Sequence, residues 1–545
     1  MNFKHIKQMK QFTFYTLVGV LALSAVGCQD LAVENKNSPD RAVAFAQPGD
    51  VVNLISGTWT DYWSAVQWCG GGGAFFYSTL ADENSSSWAN WAMRDMSSEP
   101  RIGWDNSATY SRRGSTEGPW FRHYRGISNA NDALQAITRA EEEESADNNA
   151  FTRDGHDTAQ LRAFAKMNQG LMHGMLSLIF DQAFVFDETV DLENDVLELR
   201  PYAEVNQEAI RMLEEARSIA SANSFSIPWI WGLELSSQDM VKLINSFIAR
   251  FTVQVARDEA ERAAVNWGNV LGLIDAGITE DFVPVGADDG SQQFDCLKFY
   301  GQNGTTWSRA DYRTIGPADE SGGYDDWLAK MNSGDYGSVR VFNIVTADRR
   351  IVGSADDPTV DGTDFQYQGN NGPFPAARGY YHFSSHNHKR YQSYLLADGN
   401  GPMPHMILTE MHMYKAEGML RGGGSTDEVA ELINITRVSR GQLNPAMGSD
   451  AAGSSTDAQS HLDSASLWAK LKHERRIETF QTAGGLAYFD DRGIGDLVTG
   501  TPVHFPVPGR ELETLGLQNY TFGGVGGVGG APIAGRFETD NSRPR

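Results

Sequence analysis

The stretch HERRIETFQTAGGLAYFDDRGIGD, residues His473–Asp496, decides how the rest of the chain is read. Its start looks like a zinc-protease signature, which needs a second His four positions after the first so that two imidazoles share one helix face. The residue four positions after His473 is Ile477, so the metal reading fails. Leu467, Leu471, Glu474 and Glu478 instead step by four, three and four, which is one face of an α-helix. Two carboxylates therefore continue an apolar stripe, and buried carboxylates need partners. The helical segment Thr426–Arg440 offers them: Val429 and Ile433 mark its buried face, and Arg437 and Arg440 continue it. The spacing predicts bidentate ion pairs of Arg437 or Arg440 with Glu474 or Glu478. Their role is packing, not catalysis, since removing one partner leaves a buried charge at a cost of about 3–5 kcal/mol.

The same periodicity extends outward. Residues 50–280 read as an N-terminal region of helical pairs. Its helices are predicted at Asp50–Val66, Pro119–Ala140 and Thr158–Phe184, then from Pro201 through Ala216, and from Met240 to Val255. In the last of these Met240, Leu243, Ile244, Phe247, Ile248, Phe251 and Val255 step by three and four. Pro201 suits a first helical turn, and the run Gly70–Gly73 stops the first helix. Residues 281–400 lose the period and fill with Gly, Asp, Asn and aromatics, too aromatic for disorder. They read as a loop-rich insertion carrying short strands, and long ordered loops on a scaffold are where binding sites lie. Helices resume in a C-terminal region, 401–522, at Met406–Leu420, Thr426–Arg440 and Ser464–Phe480, before a flexible tail, 523–545. The fold class is mainly α: tetratricopeptide-like helix pairs forming a scaffold with one large insertion, although the repeat's own sequence signature is absent.

The N-terminus adds an address. Lys4, Lys7 and Lys10 precede an apolar run, Phe12–Ala25, of about 14 residues, the length of a signal-peptide core and short for a membrane span. It ends Ser24-Ala25-Val26-Gly27-Cys28, small residues leading into a cysteine, similar to a bacterial lipobox in which Cys28 is acylated. Residues 1–27 are then the signal peptide and 28–49 a lipidated tether. The remaining cysteines, Cys69 and Cys296, are open to two readings, one disulfide or two small buried residues; their separation decides nothing about geometry, and the second reading is favoured. With 45 Lys+Arg against 70 Asp+Glu, a net charge of −25 argues against nucleic-acid binding.

At this point the chain resembles the SusD/RagB family of outer-membrane nutrient-binding lipoproteins over essentially its whole mature length. YRGISNANDAL (Tyr124–Leu134) is similar to the family's early helix, and LRAFAKMNQGLMHGMLSLIFDQAFV to its Arg-Ala-x-x-Arg-Ala-x-x-Tyr-x-x-Leu helix. MHMYKAEGMLRGG followed by ELINITRVSRG resembles the Glu-Ala and Ile-Asn-x-Val-Arg-x-Arg-Ala helices. The opening stretch resembles the Glu-Arg-x-x-Glu-Leu-x-x-Glu-Gly-x-Arg hallmark, with Gln481 and Leu486 in place of Glu and Arg, and FPVPGRELETLGLQNY resembles the closing pattern. The resemblance implies a surface-exposed, lipid-anchored outer-membrane protein without catalysis or cofactor. It would capture an oligosaccharide (in some members a peptide) and deliver it to a SusC-like TonB-dependent transporter. The competing readings are a lipid-anchored glycoside hydrolase and a non-binding helical-repeat scaffold.

Sugars stack their C–H faces on Trp and Tyr while Asn, Asp and Arg fix their hydroxyls. The ligand-binding candidates are therefore Trp88, Asn90 and Trp91 after the first helix, and Trp307, Arg309, Tyr312, Tyr324 and Trp327 in the insertion. Two metal patterns are weaker. His382, His386 and His388 lack a supporting acid and read as a surface loop. Asp357, Asp361 and Gly362 match a calcium loop that Thr359 and Gln368 spoil.

Overall fold

The computed structural model describes residues 47–525 except 70–72, 87, 89, 147, 192–193, 290, 304–306, 340 and 370–381, together with the backbone of 533–534. The expected signal peptide, the lipobox-like stretch ending at Cys28 and most of the expected tail lie outside the described residues. Contacts divide the chain at Asp50, and Val51–Arg545 forms one compact unit.

That unit is mainly helical. Its helices include α1 (Pro48–Val66), α2 (Gly73–Leu80), α3 (Gly114–Glu143), α4 (Thr158–Ile179), α5 (Tyr202–Ala222), α6 (Ser237–Gln254), α7 (Trp267–Asp275), α8 (Leu408–Gly422), α9 (Thr426–Arg437), α10 (Leu467–Glu478) and α11 (Leu486–Ile494). The starts obey capping chemistry. Asp157 accepts from the backbone N–H groups of Ala159 and Gln160 to open α4, and the Ser236, Ser425 and Ser466 hydroxyls cap α6, α9 and α10. Pro201 is the residue preceding α5, supplying its entry turn.

Helices α4, α5 and α6 run antiparallel in succession. The Asn206 amide donates to Ser177 Oγ at 3.0 Å, joining the start of α5 to the end of α4, while Gly170 faces Ala209 and Leu213. A Cβ on Gly170 would lie 2.7 Å from Leu213 Cγ and 2.9 Å from the Ala209 carbonyl, so glycine sets how closely α4 and α5 approach. Arg217 Nη1 to Asn245 Oδ1 at 2.9 Å likewise ties the end of α5 to the middle of α6. The central helix α4 is buried from Ala163 to Ile179, as expected for a sequence apolar over most of its circumference.

Some boundaries differ from expectation. The α4 helix stops at Ile179 instead of Phe184, because Phe180 turns extended and Gln182–Phe184 pairs antiparallel with Leu199–Pro201. The α9 helix stops at Arg437, three residues early. Helices α2, α7 and α11 were not anticipated; each is short, and α2 and α11 are flanked by glycines that mask their period.

Among the described residues, 281–400 hold short elements and one 11-residue helix, Gly323–Ser333. Two small antiparallel sheets matter here: β1 (Asn84–Ser85) with β2 (Arg309–Ala310), and β3 (Phe365–Tyr367) with β4 (His386–His388). The first ties the segment after α2 to the insertion. The second carries its histidines inward: His386, Asn387 and His388 are all buried, which overturns the surface-loop reading. Cys69 and Cys296 are joined by a disulfide across 227 residues, so the favoured reading of two free thiols is also overturned. What the sequence could not show is that a helix end and a distant loop bring their Cα atoms within 5.1 Å.

Candidate functional site: an aromatic platform

Two segments converge beside the disulfide. Trp88 and Trp91 come from the stretch after β1, and Tyr300 ends the short helix Cys296–Tyr300. Beyond it the Asn303 N–H donates to the Tyr300 carbonyl, and the Trp307 N–H donates to the Asn303 carbonyl. Their rings form a connected set, with centroids 4.8 Å apart for Tyr300–Trp307, 5.5 Å for Trp91–Trp307, 5.9 Å for Trp91–Tyr300 and 6.1 Å for Trp88–Trp307. From below, Phe75 of α2 stacks on Trp91 at 5.2 Å with the planes 7° apart. Burial grades outward: Phe75 is buried, Trp91, Tyr300 and Trp307 are half-buried, and Trp88 is 41% exposed. An apolar ring set with a dry base and a wet face suits the C–H face of a sugar.

The backbone holds this set against its preference. Trp91 (φ 49°) and Ala92 (φ 57°) are both left-handed, a conformation costing non-glycine residues about 1–2 kcal/mol each. Such residues persist where the surroundings over-determine them. The indole N–H of Trp91 donates to the Cys69 carbonyl at 3.0 Å, and Ser86 Oγ donates to the Trp307 carbonyl at 2.7 Å. Asn90 is half-buried at the edge, and the exposed Arg94, whose N–H donates to the Trp88 carbonyl, lies beside Asp95.

The other candidates lie elsewhere. Tyr312 is fully buried, stacked on Phe342 at 4.3 Å with its hydroxyl donating to the Phe342 carbonyl. Trp327 is 2% exposed and Tyr324 stacks on it, in a core with Ile315, Ile344 and Phe480. Arg309 is buried on β2, donating to the carbonyls of Gly369 and Ser384, and burial lowers its guanidinium pKa to about 10. Tyr312 and Trp327 are thus interior residues: Tyr312 opens the four-residue helix Tyr312–Ile315, and Trp327 lies with Met331 on the inward face of the helix Gly323–Ser333. Tyr300 was missed, since nothing in CLKFYG separates it from its neighbour Phe299 before the fold is known.

The charge cluster of α10 has a definite partner. Arg350, from the insertion, donates Nη1 to Glu474 Oε2 at 2.6 Å and Nη2 to Glu474 Oε1 at 2.9 Å, and Nη1 also meets Glu478 Oε1 at 2.8 Å. Asp348 closes the other side of Arg350 and accepts from His473 Nε2 at 2.8 Å. Arg440 pairs with Glu478 at 3.0 Å and with Asp364 at 2.8 Å. Arg437 does not pair with Glu474 or Glu478: it is buried and donates to the carbonyls of Asn444 and His461. Arg350 sits in an aperiodic stretch, so helix-face reasoning had no way to reach it.

Neither metal pattern assembles. Burial leads in holding His382, His386 and His388 neutral, with pKa values pushed down to about 3, 4 and 3. Asp357 is spent on a turn, accepting from the Thr359 N–H and hydroxyl, and Asp361 accepts from the Tyr367 N–H. Among the described residues no group of three or more His, Cys, Asp or Glu is disposed to hold a metal ion.

The fold is that of SusD superfamily proteins. The chain superposes on surface glycan-binding protein A from Bacteroides thetaiotaomicron with a TM-score of 0.53 at 11% identity, covering 87% of this chain and 98% of that one. A SusD homolog from Parabacteroides distasonis matches with TM-score 0.53, 11% identity and coverage of 86% and 93%. A SusD superfamily protein from Bacteroides vulgatus matches with TM-score 0.50, 13% identity and coverage of 83% and 89%. No family model and no curated protein matches the sequence.

Proposed function

We propose that this chain is a lipid-anchored protein of the outer-membrane surface that captures an oligosaccharide and passes it to a SusC-like TonB-dependent transporter. The observation that carries the reading is the platform: rings from two segments more than two hundred residues apart meet on one partly exposed face. The superposition on a protein described as glycan-binding supports the ligand class, and the lipobox ending at Cys28 supports the anchor. The antiparallel pairs α4–α5 and α8–α9 read as tetratricopeptide-like units of a scaffold for a barrel partner, and residues 281–400 as the ligand-binding insertion. Trp88 is the exposed stacking face, the half-buried Trp307, Trp91 and Tyr300 complete the arc, and Asn90 supplies a hydrogen-bonding edge.

Affinity electrophoresis through starch, xyloglucan, mannan and pectin gels, alongside turnover assays on the same glycans, tests the proposal. Retardation without hydrolysis, lost in Trp88→Ala and Trp307→Ala, is the expected result. Hydrolysis of a retained glycan would favour the glycosidase reading. The absence of any retardation, with peptides also unbound, would favour a plain scaffold.

A further inference from the structure

The disulfide sits where the platform is assembled, and its surroundings give it a role that fold stability alone does not require. Cys69 lies just past the end of α1, and its carbonyl receives the Trp91 indole N–H at 3.0 Å. Cys296 begins the short helix that ends at Tyr300, and its N–H donates to the Gln67 carbonyl at 3.0 Å. One covalent bond therefore joins the segment that fixes Trp91 to the segment that carries Tyr300 and leads to Trp307. The same neighbourhood holds Trp91 and Ala92 in left-handed conformations that relax unless outside contacts keep them. Apart from the sulfurs, the described direct ties between these two segments include the Cys296–Gln67 hydrogen bond and one from Trp63 Nε1 to the Phe294 carbonyl at 2.9 Å. Cys296 is buried, with Ala74, Phe75, Met93 and Leu297 around it, while Cys69 is half-buried at the edge of this cluster beside the rings.

We infer that the Cys69–Cys296 disulfide is the positioning element of the aromatic platform, so that glycan capture belongs to the oxidised protein. Two-electron reduction by an external dithiol, which itself becomes a disulfide, yields two cysteine thiols. It frees the Cys69 carbonyl to shift, withdraws the acceptor that holds the Trp91 indole, and lets Tyr300 and Trp307 move relative to Trp91. The helical scaffold, whose pairs are packed independently of these residues, keeps its structure. This inference rests on the reading of the platform as the glycan site, and the test separates the two.

The experiment compares the oxidised protein, the protein reduced with a dithiol, and Cys69→Ala/Cys296→Ala. It uses two readouts: near-ultraviolet circular dichroism in the long-wavelength tryptophan bands, where the disulfide chromophore itself contributes little, recorded without any ligand, and affinity for maltoheptaose, a xyloglucan heptasaccharide, mannohexaose and a galacturonan hexamer. The expected result is a changed aromatic spectrum with an unchanged far-ultraviolet helical signal. For whichever glycan the oxidised protein binds, affinity should weaken about tenfold or more, the scale of losing a stacked anchor. Leu213→Ala, a core change between α4 and α5, is the control: it should lower thermal stability while leaving both readouts intact. If the double variant does not fold, stepwise reduction of the native protein below its melting temperature replaces it. Identical aromatic spectra for the oxidised and reduced protein overturn the inference whether or not a glycan binds. Equal affinity in the two forms overturns it as well. A changed spectrum with no binding by the oxidised protein upholds the positioning role and removes the glycan reading.

Discussion

Arg350 and Glu474, 124 positions apart in sequence, meet through a two-point contact of 2.6 and 2.9 Å in which neither side chain touches solvent. Burial opposes the charge on Arg350, but Asp348 and Glu474 outweigh it and hold the guanidinium well above its usual range. Arg350→Ala and Glu474→Ala should each cost about 3–5 kcal/mol, because each strands a buried charge. The double variant should lose clearly less than the sum of the two. Arg437→Ala combined with Glu474→Ala should show much weaker coupling, since Arg437 bonds to carbonyls. Urea denaturation of the singles and doubles gives both coupling energies, and equal couplings would contradict the assigned partners.

The ring assignments separate by two measurements. Trp327→Ala should cost about 3–5 kcal/mol of stability as a core truncation and leave glycan affinity unchanged in the folded protein. Trp88→Ala, at a 41% exposed position, should do the reverse, weakening affinity by about 2 kcal/mol, or thirtyfold, with little change in melting temperature. Calorimetric titration and thermal melts on the same samples decide it; loss of affinity in Trp327→Ala alone would move the site into the insertion's core.

Acid should destabilise this protein in two stages. Burial, in each case the leading cause, pushes His123, His173, His386 and His388 down from 6.5 to about 3, 4, 4 and 3. Their folded pKa values lie below the unfolded one, so the unfolded chain binds more protons as pH falls. Stability is complete above pH 6.5 and is lost below it, by about 1.4 kcal/mol per pH unit for each group. Glu99 and Asp364 are held at about 2: burial opposes ionisation, but Arg313, bonded to both oxygens, outweighs it at Glu99, as Arg390 and Arg440 do at Asp364. These carboxylates contribute stability above their ordinary pKa near 4, lost only as pH falls from there towards 2. The first decline should therefore begin near pH 6.5. His123, fully buried and without a hydrogen-bond partner on either ring nitrogen, allows a direct check. His123→Phe should flatten the slope between pH 6 and 4 by about one group's share, and an unchanged slope would show that this imidazole is not what titrates.

Anchoring is tested at the other end of the chain. Cys28→Ser should give a protein that lacks lipid and leaves the membrane fraction, measured by detergent partition and labelling with a radiolabelled fatty acid. Retention in the membrane without label would remove the lipobox reading.

What could be read beforehand follows from where information is periodic. The step of three and four in Met240–Val255 located α6 to within a few residues, because burial on one helix face writes itself into adjacent turns. Glu474 and Glu478 were legible as buried carboxylates for the same reason, and Arg440 as a partner of Glu478. Trp88, Trp91 and Trp307 could be picked as rings but not as neighbours. Their meeting depends on the pairing of β1 with β2 and on a disulfide, both long-range events with no local signature. Arg350, Tyr300 and the inward turn of His386–His388 were invisible for one cause: in short irregular elements each side chain's direction is set by tertiary contact, and sequence neighbours say nothing about it.

The closed circuit of Asp364, Arg440, Glu478 and Arg390 has a consequence for how such a chain diversifies. Asp364 and Arg390 come from the aperiodic stretch, Arg440 and Glu478 from the helical region beyond it, and each acid is shared by cations from both sides. The stretch cannot be exchanged as a cassette. A chimera given another chain's residues 281–400 inherits two acids on α10 with no Arg350 and an arginine with no Asp364, and it must find new counter-charges before it folds. New ligand preferences are then reached most cheaply by single replacements at the rim, such as Trp88 or Asn90, which carry no part of that circuit. Lineages of this protein should drift at the rim while inheriting the charges as a set.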